Sequence, residues 1–308
     1  MPRLAKARTK TRVRIMAMAD TTVSHKTPEP DPAVVRRILV LLDGSRRSLA
    51  ALEAAADIAR AQQAEVLGIF VEEVNLLRSA GYGFAREVGR SSGVARPMDV
   101  DALEVRMQAT AEKLRRTLER TLAPWGVAQA LRLCRGEVVE QVLGLVQPDD
   151  LLVLGGAGWS GISSFKLGST ARGLLRQAPG DVLLWPESRS LPPGRVVVLL
   201  NHDQGANHRA VRVGVELARR GQRALTVLVR SEAADDPELL GELAAMLEAG
   251  GIAARVRCLP KAGAAAMARA VREEGAAQLV ISRQCSLFEQ QGAESLLCQL
   301  NLPVTITP

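Results

Sequence analysis

Five glycines fall within fourteen residues, Gly155-Gly156-Ala157-Gly158-Trp159-Ser160-Gly161-Ile162-Ser163-Ser164-Phe165-Lys166-Leu167-Gly168, and Ser169-Thr170 follow at once. Glycine carries no Cβ, so successive glycines let backbone N–H groups turn inward and approach an anion closely. A helix starting at Ser169 would add unpaired N–H groups and the positive end of its dipole. Phosphate is the guest such a loop suits. A tight surface turn that binds nothing also uses glycine, but five in fourteen exceed what one turn needs. A second candidate is Asp43-Gly44-Ser45, where a carboxylate stands beside a turn; by itself it reads equally well as a turn with a helix N-cap.

Three phosphate-loop patterns compete for the glycine segment. GxxxxGK[ST] does not occur, which argues against a P-loop nucleotide hydrolase. Gly156-Ala-Gly158-Trp-Ser-Gly161 satisfies GxGxxG, but that fingerprint belongs to a first strand-to-helix turn and wants an acid closing the next strand, whereas Asp181 precedes its strand. The third, G-x2-G-x9-G-[ST], is met by Gly155, Gly158, Gly168 and Ser169. At a background glycine usage of about 7%, this spacing arises by chance in roughly one chain in a hundred of this length.

The elements that must position these residues follow from the hydropathy pattern. Arg37–Leu42 is an apolar run ended by the Asp43 turn, and Leu49, Leu52, Ala56 and Ala59 mark a helical face through Arg60. A strand at 64–71, a long loop, a helix from Asp99 with one apolar stripe (Leu103, Met107, Ala111, Leu114, Leu118, Leu122), then strand 127–133, helix 137–146, strand 151–154, helix 169–177 and strand 182–185 continue the alternation. Such alternation predicts a parallel sheet with helices on both faces. After the proline-rich Pro186–Gly194 the series restarts, with strands at 196–200, 224–229, 252–259, 278–282 and 304–307 and helices at 206–220, 237–249, 267–274 and 294–299. RRILVLLDGS pairs with GRVVVLLNHD, and LLRQAPGDVLL with LLCQLNLPVTI, which reads as an internal duplication of a whole domain. The expected organisation is an arm and linker over 1–34, a ligand-binding domain over 35–186, a linker over 187–194 and a second domain over 195–308.

On the glycine pattern between the fourth strand and its helix, together with Asp43 at the end of the first strand, the sequence resembles a tandem universal stress protein of the ATP-binding type, over Val35 to Pro308. The resemblance implies two tandem five-stranded parallel α/β sandwiches, Rossmann-like, of strand order 3-2-1-4-5, the first binding ATP, with or without magnesium. Carried over, Asp43 meets the ribose and a magnesium-bound phosphate, the backbone around Val71 meets adenine, and Gly155, Gly158, Gly168, Ser169 and Thr170 cradle the phosphates. The family's valine after the [ST] position is Thr170 here, a departure without consequence if backbone N–H is what that position offers. Lys166 is either a further phosphate charge or a solvated loop lysine. In the second half Asn201, Ser282 and Cys285 stand where Asp43, Gly155 and Gly158 stand, and no Gly-Ser pair opens the last helix. That half reads as a degenerate copy packing on the first as an intramolecular pseudo-dimer, with Cys285 a redox handle or a small core residue.

Composition bounds the alternatives. The 308 residues are 47% apolar and 24% charged, an ordinary globular balance long enough for two cores. Arg3, Lys6, Arg8, Lys10, Arg12 and Arg14 precede the first acid and supply six of the net +7, so the body is nearly neutral and nucleic acid is a poor expectation. The scattered cysteines and three histidines form no metal-ligand spacing. No apolar run reaches the roughly 18 residues of a membrane span, and a cytoplasmic location is the expectation. No histidine after His25 lies in the first domain, so no general base marks catalysis, although Ser160, Ser163, Ser164, Ser169 and Thr170 near the phosphates leave weak ATP hydrolysis or self-phosphorylation open. The expected function is adenine-nucleotide binding in stress response or signalling. The alternative is a nucleotide-free scaffold of the same fold. The partners implied are the nucleotide, the other half of the chain, a second copy as a homodimer, and a protein whose identity the residues do not carry. The segment 72–98 reads either as a lid over the nucleotide or as a loop packed on the helix from Asp99.

Overall fold

Runs of branched aliphatic residues buried on both faces are what a parallel sheet covered by helices requires, and these runs become its strands. The structure is a computed structural model, and the residues described are 35–89, 92–156, 167–187, 191–200, 204–230, 237–259, 263–285, 296–297 and 299–308. The strands are β1 (Arg37–Leu41), β2 (Glu65–Glu73), β3 (Arg86–Val88), β4 (Ala95–Pro97), β5 (Gln129–Gly136), β6 (Leu151–Gly155), β7 (Asp181–Trp185), β8 (Arg195–Leu200), β9 (Leu225–Arg230), β10 (Ala254–Leu259), β11 (Ala276–Ser282) and β12 (Val304–Thr307). The helices are α1 (Arg46–Gln62), α2 (Val74–Ala80), α3 (Val100–Leu122), α4 (Val138–Leu143), α5 (Ser169–Gln177), α6 (Gln204–Arg220), α7 (Pro237–Ala249) and α8 (Ala264–Glu273).

Ten of these strands form one sheet, in the order β10-β9-β8-β11-β12-β7-β6-β1-β2-β5. Every neighbouring pair is parallel except β12 with β7, which run antiparallel with Val304 opposite Leu184 and Ile306 opposite Val182. The expectation of two five-stranded sandwiches is therefore corrected: the chain builds a single ten-stranded sheet. Within it the order on each side of the β7–β12 seam repeats. A fifth strand left at the edge of its own sheet would expose a row of unpaired N–H and C=O groups, and joining the two edges satisfies both rows. The seam is apolar as well as hydrogen-bonded, since Leu152, Leu174, Val182, Leu184, Leu297, Val304 and Ile306 belong to one continuous buried cluster.

The helices that frame the first strand ends follow local rules. Ser45 caps α1 by accepting from the Ser48 N–H at 3.2 Å, and the helix lays small residues, Ala50, Ala51, Ala54, Ala55 and Ala59, on the sheet. Asp99 caps α3 by accepting from the N–H groups of Asp101 and Ala102, and Leu103, Ala111, Leu114, Leu118 and Leu122 form its buried stripe. The segment 72–98 contains more order than a loop: α2 packs Leu77 and Ala80 against Leu103, and β3 pairs antiparallel with β4. Tyr82 and Phe84 stack with centroids 5.3 Å apart and stay exposed.

Candidate functional site

The chain leaves β1 through a turn whose geometry its residues dictate. Gly44 has φ of +79°, the left-handed region that favours glycine, and this lets the Asp43 carboxylate curl back to accept from the Ser45 N–H at 2.9 Å. The Asp43 N–H in turn donates to Ser48 Oγ at 3.4 Å. Burial in this loop pushes the Asp43 carboxyl up, but hydrogen bonds from Ser45 and Ser48 outweigh it and hold the group below the usual carboxylate range.

Across the sheet, α5 begins with equal economy. Its N-cap is Gly168, at φ −56° and ψ 153°, which offers no side chain to the first-turn N–H groups, and that turn holds no acid. The first turn of α1 also lacks an acid and carries Arg46 and Arg47. Two positive helix ends therefore open onto the same region, at the carboxyl ends of β1 and β6, where the order of strands reverses direction.

That region is a cavity of about 1180 Å³. It is lined by Asp43, Val71, Gly155, Gly168 and Thr170, five of the seven residues singled out in the sequence. Ser169 opens α5 between Gly168 and Thr170 without itself lining the cavity. Gly158 and Lys166 lie outside the described residues. Leu41, Leu42, Phe70, Leu76, Met107, Val138 and Leu154 supply apolar wall, and Arg46, Arg47, Glu73 and Glu187 supply charge. The sequence reading missed these four charged residues. Arg46 and Arg47 follow directly on the Asp43 turn, and Glu73 closes the second strand, so position relative to a strand end was the signal available.

Val71 presents backbone rather than side chain. The Leu42 N–H donates to the Ile69 carbonyl at 2.8 Å, so β2 turns the donors and acceptors of its odd-numbered residues toward β1. Two residues on, β1 has ended and the chain turns away at Gly44, the residue next in line to pair with β2, so the ladder stops short of Val71 and leaves its edge at the rim of the cavity.

The glycines play different parts. A Cβ on Gly155 would stand 2.6 Å from the Arg47 carbonyl carbon, so this glycine lets the start of α1 cross the end of β6. A Cβ on Gly168 would meet nothing within 4 Å among the described residues. The second half differs at the corresponding strand end. There the Ser282 Oγ donates toward the Pro308 carbonyl at 3.4 Å and accepts from the Gln284 N–H at 3.1 Å, and Cys285 is buried in the core.

Ionised Asp43 gains hydrogen bonds that its unfolded counterpart lacks, so its stabilising contribution is present above the unfolded value of about 3.8 and is lost as pH falls through the lower folded value. Asp43→Ala is expected to cost about 0.5–1 kcal/mol near neutral pH, modest because the loop that partly desolvates the carboxylate still leaves the residue open to solvent, which screens its hydrogen bonds. Denaturant midpoints of the two chains compared from pH 7 to pH 3 should converge only below pH 4; a gap that closes already by pH 6 would contradict the assignment.

A mostly parallel, doubly wound sheet with a cavity at its switch point, onto which two helix N-termini open, defines a Rossmann-like α/β protein. Residues 35–186 match the model of the Universal stress protein family, and this segment is a domain of that family. Over 89% of this chain and 98% of the other, the fold is similar to a universal stress protein from Archaeoglobus fulgidus, with a TM-score of 0.69 and 17% identity. A functionally unknown protein from Pseudomonas aeruginosa PAO1 is similar over 90% of this chain and 93% of its own, with a TM-score of 0.56 and 15% identity. At such identities the likeness is one of fold. No curated protein matches the chain. Among the described residues, no helix is long and apolar enough to cross a membrane.

Proposed function

We propose that the cavity binds an adenine nucleotide, ATP by preference, and that the chain is a cytoplasmic stress-response or signalling protein that uses occupancy rather than turnover. The observation that carries this reading is the convergence of the Asp43 turn, the open backbone edge of Val71 and the bare N-terminus of α5 on one cavity. In this reading the phosphates lie at Gly155, Gly158, Gly168, Ser169 and Thr170, the ribose at Asp43 and the base at Val71. In this reading magnesium enters with the phosphates, on the side of the cavity that Asp43 lines.

The repeated strand order supports a tandem reading with domains at 35–186 and 195–308, joined by 187–194 and preceded by a basic arm over 1–34. The second domain then serves as an intramolecular pseudo-dimer partner. Calorimetric titration of the full chain with ATP, ADP, AMP and NAD tests the reading. Saturation at one adenine nucleotide per chain is expected. Two per chain would overturn the asymmetry of the halves, and no heat with any of them would leave the scaffold as the surviving function.

A further inference from the structure

The cavity carries an acid that the proposed contacts to phosphate, ribose and base leave unused. Glu73 closes β2, two residues past Val71, and lines the cavity that would receive a polyanion. It is the N-cap residue of α2 but makes no capping hydrogen bond, and among the described residues it forms no ion pair. A carboxylate in a cleft flanked by Arg46, Arg47 and two helix N-termini, yet engaged by none of them, is placed to accept hydrogen bonds from whatever enters.

Its place in the sheet indicates which part of the ligand it meets. The strands β6, β1 and β2 are consecutive neighbours, about 4.8 Å apart, and present the α5 end, Asp43 and Val71 in that order. A nucleotide lying across them with its phosphates at α5 has its base at β2. Residues i and i+2 of a strand share a face about 6.5–7 Å apart, so Glu73 stands one step further along the rim than Val71, on the same face. A base hydrogen-bonded to the Val71 backbone thus has its outer edge within reach of the Glu73 carboxylate.

We infer that Glu73 is a specificity-determining residue which reads the exocyclic amino group of the purine. An ionised carboxylate only accepts hydrogen bonds. It therefore rewards the 6-amino group of adenine and opposes the 6-oxo group of hypoxanthine, whose lone pairs would face it. The backbone of Val71 offers one donor and one acceptor, which no side-chain substitution removes. The charge at Glu73 adds the part of the preference that substitution of this residue can take away.

This inference rests on the nucleotide reading, and the test separates the two. The full chain, Glu73→Gln and Glu73→Ala are titrated with ATP and with inosine triphosphate, which differ at the position in question. The unaltered chain is expected to favour ATP at least about tenfold. Glutamine can turn its NH2 toward a 6-oxo group, so Glu73→Gln should bring the preference below about threefold, in part by tighter binding of inosine triphosphate; alanine should reduce the preference from both sides, weakening ATP and relieving the repulsion of inosine triphosphate. Equal thermal melting of the three chains excludes a folding effect. If the unaltered chain binds ATP and both variants keep its preference, the role of Glu73 is overturned while the nucleotide reading stands. If the unaltered chain binds neither triphosphate, both are overturned.

Discussion

Gly168→Asp is expected to leave the chain at least as stable as before and to abolish nucleotide binding, two effects that a structural role for this glycine could not combine. The backbone at Gly168 has the extended φ and ψ of an N-cap, a conformation that any residue adopts, and an added Cβ meets nothing within 4 Å among the described residues. Aspartate is among the best N-cap residues, because its carboxylate accepts from the first-turn N–H groups. Supplying it to a helix that has no side-chain cap should add a few tenths to about 1 kcal/mol of stability. The same N–H groups are those proposed to hold phosphate, and the carboxylate would occupy them with the wrong charge. Losing two charge-assisted hydrogen bonds at about 1.5 kcal/mol or more each lowers affinity by about a hundredfold or more. Calorimetry with ATP and denaturant unfolding, run on the same preparation, read both quantities. ATP affinity within a few fold of the unaltered chain would remove α5 from the phosphate site. Gly168→Val should weaken binding similarly through its bulk, at some cost to the cap.

The features that made this helix start visible in the sequence are local ones. Ser169–Gln177, Pro237–Ala249 and Val304–Thr307 begin and end where turn residues and hydropathy place them. The long stripe from Leu103 to Leu122 needs only the 3.6-residue period, and Asp99 announces its cap. What the sequence hides depends on partners far along the chain. The antiparallel pairing of β7 with β12 joins Val182 to Ile306 through edges that no local pattern marks, since both strands are plain apolar runs. β3 and β4 are lost around the glycines of 81–93, because three-residue strands carry too little alternation to detect, and α2, at seven residues, is too short to show a helical period. Glu73 is concealed for the opposite reason: an acid at a strand end reads as a solvated surface charge, and only the cavity around it changes that meaning.

The glycine spacing itself hides two different demands, and Gly155 shows the one that is not about ligand. A Cβ at Gly155 would stand 2.6 Å from the Arg47 carbonyl carbon and 2.7 Å from its oxygen, backbone atoms that no rotamer change can move. Gly155→Ser is therefore expected to cost about 2–3 kcal/mol, because the start of α1 must retreat from β6. Nucleotide affinity should fall with it, since α1 begins at the Asp43-Gly44-Ser45 turn that shapes the cavity. Serine is the informative choice because Ser282 ends the corresponding strand of the second half. The two halves share further geometry at this point: the Gly156 N–H donates to the Trp185 carbonyl at 2.6 Å, and the Arg283 N–H donates to the Thr307 carbonyl at 2.7 Å. Ser282→Gly removes only the local bonds to Pro308 and Gln284, so it should cost about 1 kcal/mol, mainly from those bonds and the added chain freedom. Urea midpoints for the two single variants decide the matter. A large loss for Gly155→Ser beside a small one for Ser282→Gly would mean that the first strand end is held open by a helix pressed against bare backbone. Equal and small losses would instead show that α1 yields easily, and the shape of the cavity would then owe little to Gly155.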